Sequence, residues 1–202
     1  MKILVNFFAD INETSVNQMI TFVTQNIFAA ENQKQLVEEL IIQIASNGGS
    51  SDHGLLAYNF LRQMTVKKTT LNIGNVDSAA ALIFCAGDSR LAMQTSRFTL
   101  HGAMTTLQGQ FPGSKLQEIA DLNKRITDDY VKVIAETIGQ NRKGLKKKIA
   151  NGYVIDAQES KKIGLVTDLL DKPYLESTAN IMALIINNPP KQIQEKQQSN
   201  QT

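Results

Sequence analysis

Residues 41–64 read IIQIASNGGSSDHGLLAYNFLRQM, and this stretch indicates the class of fold. The apolar run from Leu40 to Ile44 ends in a turn at residues 46–50, as expected of a strand covered on both faces of a parallel sheet. Beyond the turn, apolar residues recur at helical spacing as far as Met64,. A strand, a glycine turn and a helix in this order are typical of an α/β fold.

The alternation of strand and helix continues on both sides of this stretch. Residues 2–8 are apolar and partly β-branched, as in a strand, and a helix capped by Asn12 or Thr14 is predicted to follow,. Further downstream the pattern predicts a strand at 69–73, a buried helix at 78–86 and a short strand at 98–100. We therefore expect an α/β fold with a largely parallel sheet.

The second half of the chain is richer in helical patterns. Apolar residues at helical spacing predict one long amphipathic helix from about 113 to 139,. The remaining predicted elements are helices at 142–150 and 157–162 and a strand at 165–170. We expect residues 1–188 to form a single domain. The polar tail 189–202 is expected to be disordered because it has too little apolar surface to offset its chain entropy,.

Composition excludes several classes of function. Lys plus Arg is 21 and Asp plus Glu is 19, a net charge of +2 that favours neither nucleic acid nor an anionic membrane as a partner,. The single cysteine, Cys85, lies in an apolar run and is expected to be a buried, inert thiol, so neither a disulfide framework nor a CxxC metal site is expected,. The start of the chain lacks the pattern of a signal peptide, and no apolar run reaches about 20 residues,. A cytoplasmic protein without a metal or cofactor is the expectation.

Three features are candidates for chemistry. Gly48-Gly49 follows a predicted buried strand, Ser78 opens a predicted helix, and His101 ends the strand after it. In α/β sheets, sites form beyond the carboxyl ends of the strands. The N–H groups of Ala79 and Gly49 are placed to bind an oxyanion, and a serine nucleophile needs a base such as histidine to accept its proton.

Each of these features also has an ordinary structural interpretation. A serine at a helix start is most often a cap, a histidine at a strand end is most often a structural group, and two glycines after a strand most often form only a turn. The spacing of Ser78 and His101 by itself therefore leaves the activity open.

Five segments in collinear order resemble the proteolytic subunit of Clp protease. Residues 45–50, ASNGGS, resemble the motif N-S-P-G-G-S, and residues 74–79, GNVDSA, resemble G-Q-A-A-S-M. Residues 96–101, SRFTLH, resemble S-R-V-M-I-H, and Gln108-Gly109-Gln110 matches Q-G-Q. Residues 153–168, YVIDAQESKKIGLVTD, resemble F-x-S-A-x-E-A-x-x-Y-G-L-V-D. The similarity extends from about residue 3 to residue 170.

This resemblance implies a fold and an activity. The fold is that of the ClpP/crotonase superfamily, in which repeated ββα units carry a projecting helix-and-strand handle, here at about 105–138. Ser78 takes the place of the nucleophile and His101 that of the base, with Gly49 and Ala79 as oxyanion donors. Thr105-Thr106 takes the place of the glycine pair in the strand that binds substrate. The implied protein is a homo-oligomer of stacked heptameric rings that cleaves peptides or unfolded chains without a cofactor.

The chain departs from the family pattern at the third member of the catalytic triad. Residue-by-residue matching puts Gly152 where the family has aspartate, with Asn151 immediately before it. Asparagine can orient a histidine by a hydrogen bond, although it stabilises the imidazolium less than a carboxylate does. We expect Asn151 to take this role. The family's N-terminal axial loop has no counterpart in the sequence, and that loop helps to dock the ATPase, so a Clp-type ATPase partner is doubtful.

Other functions remain compatible with these residues. Without the aspartate, the chain is also compatible with a catalytically degenerate relative that serves as a scaffold or binding protein. An acyl-CoA enzyme of the crotonase type is less favoured, because such enzymes use a glutamate and none occurs between Leu40 and Leu116. A Ser/Lys dyad of the signal-peptide peptidase type is disfavoured, because the matching segments that contain Ser78 and His101 have no lysine.

Overall fold

Eight strands and six helices alternate along the part of the chain that the structure describes, residues 1–175 and 180–189 of a computed structural model. In chain order they are β1 (Lys2–Phe8), α1 (Glu13–Asn32), β2 (Glu39–Ser46), α2 (Ser51–Arg62), β3 (Lys68–Asp77), α3 (Ala80–Cys85), β4 (Ser89–Met93), β5 (Arg97–Leu100), α4 (Gly113–Ile138), α5 (Arg142–Ala150), β6 (Tyr153–Asp156), α6 (Ala157–Lys162), β7 (Asp168–Leu170) and β8 (Ile181–Asn187). The predicted disordered tail lies outside the described residues, except for Pro189.

The strands form one sheet in the order β6-β5-β3-β2-β1-β8, with β4 joined to β3 and β7 joined to β4. All pairs are parallel except β5 with β6. The long strand β3 changes partner along its length: residues 69–72 pair with β4, and residues 75–77 pair with β5. This change places the end of β3 beside the end of β5, so that Ser78 and His101 leave the sheet on neighbouring strands.

Most predicted elements are present with small shifts of their ends. The expected cap of α1 is Asn12, whose side chain accepts a hydrogen bond from Ser15 N–H. The predicted helix 78–86 is shorter than expected and begins at Ala80, because Ser78 has a positive φ of 52° that no right-handed helix allows,. The strands β4, β6 and β8 were not predicted. β4 and β6 are only five and four residues long and contain charged residues, so the alternation of apolar and polar residues that indicates a strand is not visible in them.

The long helix α4 is buried only in its second half. Tyr130, Val131, Val133, Ile134 and Ala135 pack into the core, whereas Leu116 and Leu122 in the first half are exposed. The strand expected at Gln108-Gly109-Gln110 is not formed, and residues 101–112 have no regular secondary structure. A strand needs a partner for its backbone groups, and a single chain offers none at this place.

A buried carboxylate fastens the end of the sheet opposite to the candidate site. Glu39 accepts hydrogen bonds from the hydroxyls of Thr69 and Tyr174, both at 2.6 Å. The ammonium groups of Lys2 and Lys67 lie 3.4 and 3.3 Å away. Burial alone raises the pKa of Glu39, but the hydrogen bonds from Thr69, Tyr174 and Lys67 outweigh it and leave the pKa below its ordinary value of 4.5,.

We expect Glu39→Gln to lower the free energy of unfolding by about 1–3 kcal/mol at neutral pH, because the ion pairs are lost and a hydrogen-bonded acceptor is altered. A depressed pKa gives stability that is complete above 4.5 and is lost as the pH falls through the folded-state value,. The difference between variant and wild type should therefore shrink in acid. Denaturant unfolding at several pH values measures it. Glu38→Gln, at an exposed neighbour, is the matched control. A deficit that persists unchanged at pH 3 would contradict the ionic explanation.

Among residues 1–175 and 180–189, no helix has the length and apolar character needed to cross a membrane. The same residues contain no group of three His, Cys, Asp or Glu side chains placed to hold a metal ion. Cys85 is buried, as expected, and burial raises its pKa to about 11, so that the thiol stays protonated at neutral pH.

Candidate active site

Ser78 occupies a strained turn between β3 and α3. Its φ of 52° lies in the left-handed region, which costs a non-glycine residue roughly 1–2 kcal/mol,. The surrounding structure fixes this conformation at both ends of the residue. The Ser78 N–H donates to Thr99 O at 2.7 Å, and the Ser78 carbonyl accepts from Ala81 N–H and from the Tyr130 hydroxyl, each at 3.0 Å. The strain therefore marks Ser78 as a candidate functional residue.

The glycine pair lies directly against this turn. A Cβ on Gly48 would come within 2.6 Å of Asp77 O and 2.7 Å of Ser78 Cβ, and a Cβ on Gly49 within 2.3 Å of Ile11 O. Both glycines also have positive φ, 90° and 143°. Only glycine allows the backbone to come this close at such angles, so the Gly48-Gly49 turn is fitted to Ser78.

Two backbone N–H groups at the site are unused. The hydrogen bonds on either side of Gly49 run from Ile11 N–H to Gly48 O and from Ser50 N–H to Ile11 O, which bypasses the Gly49 N–H. Neither Gly49 N–H nor Ala79 N–H has an acceptor among the described residues. The Gly48 Cβ position is 3.1 Å from Ala79 N, so the two loops meet at this point. Free N–H groups beside a hydroxyl can bind the oxyanion of a tetrahedral intermediate.

Ser78 and His101 open onto the same cavity of about 250 Å³. Gly49 and Thr105 line it, and one face of α4 forms its apolar wall through Leu122, Ile126 and Tyr130. Ala79, Thr106 and Asn151 are not among the lining residues. The fold thus brings together four of the residues singled out from the sequence, Gly49, Ser78, His101 and Thr105, which span 56 positions of the chain.

The ring of His101 is held by the backbone. Its Nδ1 lies 2.8 Å from Gly102 O. Because a carbonyl only accepts, Nδ1 must carry the proton, which leaves Nε2 free to accept one. This is the tautomer that a general base requires. No hydrogen bond joins His101 to Ser78 in this structure; hydrogen bonds between catalytic residues are often long in the absence of substrate.

Asn151 lies at the end of α5 and makes no hydrogen bond to the imidazole. It is exposed, and its own N–H donates to Lys148 O as the helix ends. The antiparallel pairing of β5 with β6 ends at Leu100 opposite Tyr153. Continued by one pair, this register places Gly152 opposite His101, with Asn151 one residue beyond. Asn151 therefore lies just before β6, the strand that pairs with β5, which ends just before His101, but it makes no hydrogen bond to the imidazole ring.

A sequence model of the Clp protease family matches residues 3–173. That is most of the chain, and it includes every residue of the cavity. The chain belongs to the Clp protease family. The resemblance inferred from the five motifs is thereby confirmed, and members of this family are serine peptidases that are typically oligomeric.

Individual relatives agree with the family assignment. The chain is 28% identical over 137 residues to the ATP-dependent Clp protease proteolytic subunit 2 of Borreliella burgdorferi, a match that covers 67% of this chain and 68% of that protein. A mutant of ClpP1 from Listeria monocytogenes has a similar structure, with a TM-score of 0.68 and 19% identity over 84% of this chain and 91% of the other. The structural match confirms the expected ClpP/crotonase-type fold.

This Clp-family chain contains a second serine–histidine contact beside the cavity. Ser50 lines the cavity, and its hydroxyl lies 2.9 Å from Nδ1 of His53. Ser50 also caps α2 and accepts a hydrogen bond from the His53 N–H. Its hydroxyl is thus occupied by a local helix cap, which favours a structural role. Ser78 is the better nucleophile candidate because its hydroxyl has no partner among the described residues.

Sequence reasoning missed two residues of the Clp-family site. Asp77 is buried next to Ser78; one carboxylate oxygen binds Asn75 Nδ2 at 2.8 Å and the Arg97 guanidinium at 3.1 Å, and the other has no partner among the described residues. Tyr130 donates to the Ser78 carbonyl from α4. In the sequence, Tyr130 was one member of an apolar stripe. The tyrosine hydroxyl in this stripe could have indicated the contact, because a buried Tyr hydroxyl usually has a hydrogen-bond partner.

Proposed function

We propose that this chain is a serine endopeptidase of the Clp proteolytic-subunit type. The observation that carries the proposal is the meeting of Ser78, His101 and Gly49 on one cavity, with unused N–H groups on Gly49 and on Ala79, the residue that follows Ser78. A nucleophile, a base in the correct tautomer and an oxyanion site are the parts that acyl transfer needs. Labelling of Ser78 by a fluorophosphonate probe is the direct test.

In the proposed mechanism, the Ser78 hydroxyl attacks the scissile carbonyl while Nε2 of His101 accepts its proton. The N–H groups of Gly49 and Ala79 bind the oxyanion that forms. His101 then gives the proton to the leaving amine, and an acyl-enzyme remains on Ser78. Water, deprotonated by His101, hydrolyses this ester and restores the site. The His101 ring has to come within hydrogen-bond distance of Ser78 before the first step.

The substrate is proposed to bind in an extended conformation along residues 103–106. Thr105 lines the cavity, and Thr106 follows it in a segment without regular secondary structure. Backbone that belongs to no sheet can add a peptide strand through main-chain hydrogen bonds. We propose peptides and unfolded chains as substrates, because a cavity of about 250 Å³ admits single side chains rather than folded surfaces.

We further propose that the chain assembles with itself as stacked heptameric rings. The large apolar side chains exposed on and before the first half of α4 are Met104, Leu107, Phe111, Leu116 and Leu122. Their accumulation in one region is typical of an interaction surface. A second copy across this region would also pair the backbone of residues 108–110. A cytoplasmic setting and independence from an ATPase remain predictions from the sequence.

A catalytically degenerate scaffold is the second candidate function. The observations that favour it are the lack of a carboxylate on His101 and the lack of a hydrogen bond between His101 and Ser78. If assembled wild-type protein is not labelled by any serine-hydrolase probe, this function replaces the first.

We propose Asn151 as the group that orients His101 in the assembled enzyme. Asn151→Ala should then lower kcat by about tenfold, because a bond that fixes the catalytic imidazole is lost. Asn151→Asp should raise kcat, since a carboxylate stabilises the imidazolium better. Peptidase assays with Asn141→Ala, which removes the comparable residue at the other end of α5, provide the control. Equal activity of all three variants would assign the orientation of His101 to the Gly102 carbonyl alone.

A further inference from the structure

The hydroxyl of Tyr130 makes a contact that the proposed mechanism does not use. Tyr130 is only 3% exposed and lines the active-site cavity from α4. Its hydroxyl donates to the Ser78 carbonyl at 3.0 Å. No other side chain among the described residues bonds to the backbone of Ser78.

The Ser78 carbonyl and the Ala79 N–H belong to the same rigid peptide unit. In a planar trans peptide the C=O and N–H point in opposite directions. A donor fixed on the carbonyl therefore sets the direction of the N–H. It also polarises that N–H, because a peptide that accepts at one end donates more strongly at the other. The Ala79 N–H is one of the two unused donors at the site.

We propose that Tyr130 is a positioning residue for the oxyanion site, which it orients and strengthens by binding the far end of the Ser78–Ala79 peptide. The inference rests on the proposed peptidase function and deepens it. Tyr130 does not touch the reacting atoms. It acts through Ala79, whose N–H binds negative charge only as the tetrahedral intermediate forms, so its contribution belongs to the transition state rather than to substrate binding.

The surroundings suit this role. A positive φ at Ser78 means that the peptide is held against its local preference, so that loss of one support allows it to rotate,. The carbonyl also accepts a hydrogen bond at 3.0 Å from Ala81 N–H, in the turn that leads into α3, so Tyr130 supplies the support that comes from outside this turn. Burial, followed by the electrostatic interactions with Cys85 and Asp77, raises the pKa of Tyr130 well above its usual range. The hydroxyl therefore remains a donor at every pH where the enzyme is assayed.

The same helix also supports the segment that follows His101. Thr127, one turn before Tyr130, accepts a hydrogen bond from Ala103 N–H at 2.9 Å. Asn123, one further turn away, accepts from the Thr105 hydroxyl at 3.0 Å. Successive turns of α4 thus contact residues 103–105, where substrate is proposed to bind, and the nucleophile Ser78. Tyr130 is the member of this series that binds the peptide carrying the Ala79 N–H.

Tyr130→Phe tests the proposal, since it removes the hydroxyl and keeps the ring. We expect kcat for a fluorogenic peptide and the rate of fluorophosphonate labelling to fall about tenfold, with KM changed less than twofold. The pH at which the activity rises should not move, because His101 is untouched. Tyr174→Phe removes the hydroxyl of a partly buried tyrosine far from the cavity, one that binds Glu39. It should lower stability without changing either rate.

A second measurement separates this inference from the proposed function. In Tyr130→Phe the amide proton of Ala79 should shift upfield in the NMR spectrum, as expected for a less polarised N–H, and it should not shift in Tyr174→Phe. Labelling and kcat within twofold of wild type, or an unchanged Ala79 resonance, would overturn the role of Tyr130. If wild-type protein is not labelled, the peptidase proposal fails, and the Ala79 resonance alone then decides whether Tyr130 governs this peptide.

Discussion

Ser78→Ala is expected to abolish covalent labelling by fluorophosphonate probes and to lower peptide cleavage by about 10³-fold or more. The variant lacks the hydroxyl that forms the acyl-enzyme in the proposed mechanism, whereas the oxyanion donors Gly49 and Ala79 remain. The residual cleavage rate should therefore come from substrate binding and the oxyanion donors alone. The methyl group of alanine fits the space of the serine, although the positive φ at residue 78 stays equally unfavourable,. Folding should be retained.

Ser51→Ala is the matched control for this experiment. Ser51 lies on the same cavity at the start of α2, and its hydroxyl has no hydrogen bond among the described residues. The control should be labelled and should cleave peptide at the wild-type rate. Mass spectrometry of the labelled peptide then identifies the modified residue. Full labelling of Ser78→Ala would exclude Ser78, and labelling that is lost only with Ser50 would move the nucleophile to the Ser50–His53 pair.

The second large effect concerns assembly. We expect wild-type protein at micromolar concentration to sediment as a particle many times the 22.3 kDa mass of one chain. The reason is the exposed apolar surface around the first half of α4, where Met104 is 80% exposed and residues 101–112 form no regular secondary structure,. Two copies that pair these segments would bury both, as in a self-complementary twofold contact.

Leu116→Asp tests which surface joins the copies. It places a charge on the exposed part of α4 outside the cavity, and we expect it to split the particle into single rings, with loss of peptidase activity. Leu36→Asp introduces the same charge at a more exposed leucine, which lies just before β2 at the end of the sheet away from the cavity, and it should leave the particle intact. Analytical ultracentrifugation separates these states. A monomeric wild type would contradict the ring assembly and the enclosed chamber together.

Local sequence patterns carried most of the fold. The compact run at β2 was predicted with its ends within about two residues, and the helix marked by apolar residues as far as Met64 is present as α2, which ends at Arg62, because period and turn chemistry are local properties,. The short strands β4 and β6 were missed for the opposite reason. They exist through their partners, β4 between β3 and β7 and β6 against β5, and those partners are distant in sequence.

The identities of Ser78, His101 and Gly49 as candidate site residues followed from sequence, since strand ends and helix starts on a parallel sheet meet at one edge. Sequence could not reveal the positive φ of Ser78, the Gly102 carbonyl on His101 or the hydroxyl of Tyr130 beneath the Ser78–Ala79 peptide. These features depend on precise angles and distances, in one case between residues 52 positions apart in the sequence. They arise only when packing fixes α4 against the end of β3, because periodicity specifies which face of a helix is buried but not which atom its side chains will meet.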